Sequence, residues 1–218
     1  MSDKGDKQLK TALLESIRVE LTGAGFISKT PKETFYRRYN GIVEVFQLVC
    51  LDGQSGWRIQ PNVGIRIDCV EEIFHRTSGF DLKYQKDTPT IGNAIGAMVS
   101  GDNRACEYLL EKRSEVVSVT EKIVRVFHAF ALPYFARFNS LAAIDAELND
   151  KPTERTPQRV VPWLRCATGV IVAKLTGRIN YNQLVEIYTD VMSNSEKGFY
   201  FGRFQALVKS LEEKSPIN

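Results

Sequence analysis

The acidic residues and the histidine between positions 68 and 75 are the first in this chain whose types and spacing could do chemistry. On a helix, Glu71 and His75 share a face at i, i+4, and with Asp68 and Glu72 nearby the group could hold a divalent cation. The set is incomplete, because the chain has 2 histidines and the other one, His128, is distant in sequence. Acidic residues in the first turn of a helix also have a plainer use, since they complement the positive end of its dipole. A metal-dependent phosphodiesterase needs carboxylates on a cation and a lysine near the attacking water. Asp81 and Lys83 of "FDLKY" have that spacing, with Asp68 or Glu72 as the further carboxylate. The spacing is common by chance, and Gly79 favours a loop there. No Gly-x-Ser-x-Gly elbow occurs, and no cysteine lies near a histidine in the sequence. "IGNAIGAMVSGDN" is rich in glycine but lacks the Gly-Lys-Ser/Thr that grips phosphates, and no clear strand leads into it. His128 sits on an apolar helix and reads as a core histidine. The expectation is no catalytic residue, no metal ligand and no cofactor.

Positive charge is distributed unevenly. Residues 151–178 hold Lys151, Arg155, Arg159, Arg165, Lys174 and Arg178 against Glu154 alone, in a chain of net charge +3. Trp163 is interleaved. Such a segment can meet phosphates or an acidic protein. A linker followed by a solvated helix face is the plainer reading, with Arg165 and Arg178 pairing with Glu212 or Glu213 of the last helix.

These residues must be held by elements, and the sequence marks them well. Leu9, Leu13, Ile17 and Leu21 recur at helical spacing and predict a helix over residues 3–22, ended by Gly23 and Gly25. Asn40-Gly41 lies between two apolar runs and predicts a hairpin with a type I′ turn, which needs positive φ at both central residues. That register sets Arg37 across from Glu44, Arg38 across from Val43, Tyr36 across from Val45 and Phe35 across from Phe46. Arg37 is then used up locally, while Arg38 is left for binding. In "WRIQPNVGIRIDCV" apolar and polar residues alternate, which predicts a third strand with one buried face. Pro61 suggests an edge or a bulge within it. If parity holds, Arg58 and Arg66 join Tyr36 and Arg38 on one basic, partly aromatic face. The alternative is a later helix covering that face, with the arginines at its rim.

A short helix follows at "VEEIFHR", then loops over residues 77–104, then "CEYLLEK" as a last strand or a helix start. From Ser114 the period changes to that of a helix. Val116, Ile123, Phe127, Phe130, Tyr134 and Phe138 form its stripe, Ser118 and Glu121 a capping box, and Pro133 a kink or break. "NSLAAIDAEL" is a short helix capped by Asn139 or Ser140. "NDKPTERTP" reads as a linker, and helices follow near residues 157–177, 181–193 and 199–213.

Four features in one order resemble a bacterial family classed as a domain of unknown function (number 4304). They are "AGFISKT…TFYRR", the strand "VFQLV", the strand "NVGIRI" and the late "LPYFARFNSLAAIDAEL". The resemblance spans roughly residues 8–150 and brings no catalytic residues with it. The helices after about residue 155 resemble an extension beside such a domain.

The expected fold is α+β. It has an N-terminal helix, a small antiparallel sheet of about three to four strands and a mostly helical C-terminal half. The division is one domain over 1–150 and a helical extension over 151–218. The polar N-terminus and the lack of a long apolar run predict a cytoplasmic protein with no membrane span. Four separated cysteines predict reduced thiols. The expected function is a non-catalytic bacterial interaction protein, immunity- or defence-associated, that binds a protein partner through Tyr36, Arg38, Arg58 and Arg66. The alternative is a nucleic-acid binder or weak-motif nuclease using Arg155, Arg159, Arg165, Lys174 and Arg178.

Overall fold

The structure is a computed structural model that describes residues 6–28, 33–53 and 55–212, save the side chain of residue 196. Its helices and strands follow in the order α1 (Lys7–Thr22), β1 (Ile27–Ser28), β2 (Thr34–Tyr39), β3 (Ile42–Asp52), β4 (Trp57–Ile67), α2 (Asp68–Phe74), α3 (Leu82–Gln85), β5 (Ile91–Ala94), α4 (Ile95–Ser100), β6 (Tyr108–Leu110), α5 (Val116–Val126), α6 (Leu132–Arg137), α7 (Leu141–Asn149), α8 (Pro162–Leu175), α9 (Tyr181–Asn194) and α10 (Phe201–Glu212). The α+β reading holds. The chain divides into two compact units, one of Met1–Ile65 with Gly92–Arg137, the other of Arg66–Ile91 with Phe138–Asn218. The units interleave in sequence, whereas the expectation was a single cut near residue 150. No described helix is long and apolar enough to cross a membrane. All four cysteines are free thiols.

In the first unit, α1 begins at Asp6, whose carboxylate accepts the Gln8 N–H at 2.8 Å. Leu9, Leu13, Ile17 and Leu21 are all buried, as their spacing requires. The sheet runs β1-β2-β3-β4-β5, with β6 also on β4. It is therefore larger than the three to four strands expected. The β2–β3 register matches the reading residue for residue, from Tyr39 opposite Ile42 to Phe35 opposite Phe46. Asn40 and Gly41 take φ of 45° and 75°, which the tight turn demands.

The extra strands are short. β5 lies inside the glycine-rich stretch that reads as loops, and it leads directly into α4. Gly92 makes it possible, because a Cβ there would stand 2.4 Å from the Val63 carbonyl oxygen. On β4 the odd positions from Trp57 to Ile67 are buried throughout, so Pro61 does not break the parity. Pro61 falls between Trp57–Ile59, which pair with β6, and Val63, which β5 approaches.

The helical segment after residue 114 departs from the expected stripe. Glu115 accepts the Glu111 and Lys112 backbone N–H groups and caps the start, in place of the Ser118–Glu121 box. Residues Phe127–Ala131 form a π-turn, in which the Leu132 N–H bonds to the Phe127 carbonyl five residues back. The widened turn carries the chain past Pro133 without a break. It also shifts the inward face, so that Phe127, Ala131 and Phe135 are buried while Phe130 is 43% exposed. His128, expected in the core, is exposed. Phe127 stands edge-on to Phe26 and Phe46, with centroids 5.2 Å apart in both cases.

In the second unit α8 is the central helix, buried at nearly every position from Cys166 to Leu175. At Gly169 an added Cβ would lie 2.8 Å from the Tyr188 ring and 2.9 Å from Asn149 Oδ1, so α7 and α9 approach α8 closely there. Ser140 caps α7 by accepting the Ala143 N–H at 3.3 Å.

Candidate functional site

The outer face of the sheet in the first unit offers an open polar cleft of about 570 Å³, lined by Leu51, Arg58, Gln60 and the turn from Gly101 to Arg104. Two strands and one turn build it. Arg58 and Gln60 occupy the even, wetter positions of β4, and Leu51 lies near the end of β3. α4 stops at Gly101, whose left-handed φ of 78° redirects the chain. Asp102 then caps a 3₁₀ turn by accepting the Arg104 N–H at 2.9 Å. Gly96 keeps the turn close to α4, since a Cβ there would sit 2.6 Å from the Asp102 carbonyl oxygen.

Charge in the cleft is unbalanced, with two arginines against Asp102. Gln60 Nε2 donates to Glu107 Oε2 at 2.6 Å, so that nearby carboxylate is engaged by an amide. Arg58 and Arg104 make no side-chain hydrogen bond or ion pair among the described residues. The Arg58 Nε is covered and unpartnered. A buried donor without an acceptor is costly. Both arginines line the cleft.

The four residues expected to form one basic face do not come together. Tyr36 and Arg38 are on the same face of the sheet as Arg58, opposite the buried Phe35, Phe46 and Ile59. Arg38, however, is exposed and lies across from Val43, at the hairpin end of β3. The cleft opens at Leu51, and at ~3.3 Å per residue Val43 and Leu51 are about 26 Å apart along β3. Arg66 belongs to the second unit. It donates to Asp68 Oδ1 at 2.9 Å and to the Gln85 and Thr88 carbonyls at 2.8 and 3.0 Å, so its donors are engaged internally.

The basic segment is largely structural. Arg165 donates to the Leu148 and Lys151 carbonyls at 3.2 and 3.0 Å, and Arg178 bonds Asp145 and Asp150 at 2.7 Å each. Both therefore secure the C-terminal end of α7, where cations are favoured. Their expected partner Glu212 is not involved, and Glu213 lies outside the described residues. Arg159 is buried and donates to the Pro89 carbonyl at 2.8 Å. Lys174 lies over the Tyr181 ring at 5.2 Å, and Lys151 pairs with Glu154 at 3.1 Å. Arg155 is exposed.

No family model fits this chain, and neither the curated proteins nor the solved structures yield a match.

The Asp68–His75 stretch forms a buried network in the second unit. Glu71 is fully buried and accepts from Thr88 and Thr90, each at 2.9 Å. His75 Nε2 stands 2.6 Å from Thr88 Oγ1 and 3.5 Å from Glu71 Oε2, and Nδ1 stands 3.0 Å from Ser78 Oγ. Thr88 spends its one proton on Glu71 or on the Gln85 carbonyl, so its oxygen accepts from His75 Nε2–H. Nδ1 then accepts from Ser78. Burial, the main cause, lowers the His75 pKa and agrees with this neutral tautomer. Hydroxyl, imidazole and carboxylate stand in a row as in acyl-transfer enzymes, but Ser78 is fully buried and its oxygen accepts the Phe80 N–H. The row pins the segment of residues 78–90 onto α2. Asp81 and Lys83 are exposed at the start of α3, with Lys83 over the Tyr84 ring at 4.7 Å. No group of three or more metal-ligating residues occurs among the described residues.

Arg58 was legible as a candidate from strand parity. Arg104 was not, because its place in the cleft depends on the α4 cap and the β6 pairing, which leave no periodic trace. The Gly101–Asp102 step, a turn signal within a polar run, was the available clue.

Proposed function

We propose that this chain is a non-catalytic binding protein that recognises an acidic protein partner through the Arg58–Arg104 cleft. The observation that carries the reading is the presence of two arginines in one open cleft, neither bonded through its side chain among the described residues, while Arg66, Arg159, Arg165 and Arg178 are bonded within the second unit. Arginine is favoured at protein interfaces because its planar fork makes several hydrogen bonds at once. The sealed Ser78–His75–Glu71 row favours binding over hydrolysis, and so does the resemblance to a bacterial family without catalytic residues.

The test is a calorimetric titration of the whole chain with a polyglutamate peptide and, separately, with a single-stranded oligonucleotide. The expected result is saturable peptide binding that Arg58→Glu with Arg104→Glu removes, the fold staying intact by circular dichroism. Oligonucleotide binding that falls steeply with salt, with no peptide binding, would instead support the nucleic-acid reading.

A further inference from the structure

We infer that the Arg58–Arg104 cleft is a subsite for a single carboxylate carried on a short aliphatic stem. The inference rests on the binding reading above and narrows it to one chemical group.

Charge sets the valence of the ligand. Two arginines and Asp102 line the cleft, with the Glu107 carboxylate beside it on Gln60, so the positive excess that a ligand meets is small. A carboxylate carries one negative charge. A phosphate monoester carries about 1.5 to 2 at neutral pH and would leave excess negative charge beside Asp102. Shape agrees, because a guanidinium group matches the two oxygens of a carboxylate with two parallel bonds. The side chains do not have to be pulled from other partners first, since neither arginine is paired among the described residues. Arg58 is half-buried with its Nε covered, which restricts its side chain before any ligand arrives. Preorganisation of this kind lowers the entropy lost on binding.

The remaining lining fits the rest of such a group. Asn103 is exposed in the same turn, and its amide can donate a further bond. Leu51 is 37% exposed at the wall and offers apolar surface to methylene groups. A glutamate side chain, or the free C-terminus of a chain, meets this description.

Amide and arginine Nε resonances of the whole chain, followed by nuclear magnetic resonance, provide the test. The probes are acetyl-Glu-amide (one side-chain carboxylate), acetyl-Ala (one terminal carboxylate), neutral acetyl-Gln-amide and inorganic phosphate. Saturable shifts at Arg58 and at residues 101–104 with a carboxylate probe are expected, with none from acetyl-Gln-amide and weaker ones from phosphate. The tighter carboxylate probe identifies the source, side chain or terminus. Arg104→Gln should weaken binding about tenfold, and Arg104→Lys, which keeps the charge and loses the fork, should fall between. Phosphate binding more tightly than both carboxylates overturns the inference. So do shifts that persist in Arg58→Gln with Arg104→Gln, or no shift with either carboxylate. A polyglutamate peptide that binds while the single carboxylates do not also overturns it, and leaves the protein-binding reading standing. Single carboxylates that bind while polyglutamate does not leave this subsite standing and remove the protein partner.

Discussion

Arg37 reaches across the β2–β3 ladder and donates its Nε to Glu44 Oε2 at 2.7 Å. Its Nη1 also bonds the Ala24 carbonyl at 3.0 Å, and its guanidinium lies over Phe26 at 5.0 Å. Glu44 is 2% exposed, and its other oxygen accepts from the Tyr39 hydroxyl at 2.8 Å. Burial and the adjacent Glu44 push the Tyr39 pKa up to about 12. This is a satisfied buried carboxylate at the edge of a hairpin, and its satisfaction depends on a half-exposed arginine.

Removing Arg37 leaves the Glu44 charge buried with one partner. Arg37→Ala should therefore destabilise the protein by about 2 kcal/mol, below the loss from breaking a fully buried pair because water reaches the arginine. Urea unfolding at neutral pH measures it. A loss near zero would mean that water replaces the guanidinium without cost.

Phe127→Ala should cost about 3–5 kcal/mol, since the ring contacts Phe26 and Phe46 in a dry core. Phe130→Ala should cost under about 1 kcal/mol, as surface changes do. The contrast, read from denaturant midpoints, checks the π-turn. Equal losses would restore the uninterrupted stripe and count against the turn.

Acid should weaken the second unit through His75. Burial, with Arg66 and Arg159, lowers its folded pKa below the ordinary 6.5, against the opposing pull of Glu71 and a bond to the Gln85 backbone. The unfolded chain then binds a proton first as pH falls, so the stability owed to neutral His75 is present above 6.5 and is lost below it. Thermal midpoints measured from pH ~7.5 to ~5 should decline more steeply in the parent than in His75→Gln. Parallel curves would show that this imidazole keeps its ordinary pKa in the fold.

Arg178→Ala removes both bonds that tie Asp145 and Asp150, and Asp145 is 7% exposed. A loss of about 2–3 kcal/mol is expected, with Arg178→Lys recovering only part because lysine cannot reach two carboxylates as a fork. Arg155→Ala, at an exposed site, is the matched control and should stay within about 0.5 kcal/mol.

The hairpin was legible because its cause is local: Asn-Gly fixes the turn, and the turn fixes every pair from Tyr39–Ile42 to Phe35–Phe46. The stripe of α1 was legible for the same reason. The π-turn was not, because a reading at 3.6 residues per turn has no place for an added residue, although Pro133 marked the stress. β5 was missed, and β6 reads as either strand or helix, because strands of 4 and 3 residues carry too little alternation to show. The arginines were misjudged for another reason. Their acceptors are mostly carbonyls far along the chain, such as Pro89 for Arg159, and a backbone oxygen has no residue type to recognise. Arg58 could be read from parity, whereas its companion Arg104 could only be found in three dimensions.

The turn at Phe127–Ala131 has the character of a one-residue insertion. Deleting Ala129 would return the stretch to ordinary helical pitch and set the present Phe135 seven residues after Phe127, within about 20° of the same line on the helix. Phe135, buried 5.5 Å from Phe26, would stay on the side of the helix that faces that ring. The added residue is thus taken up within one turn, and the core contacts on either side of it stand where a helix one residue shorter would also put them.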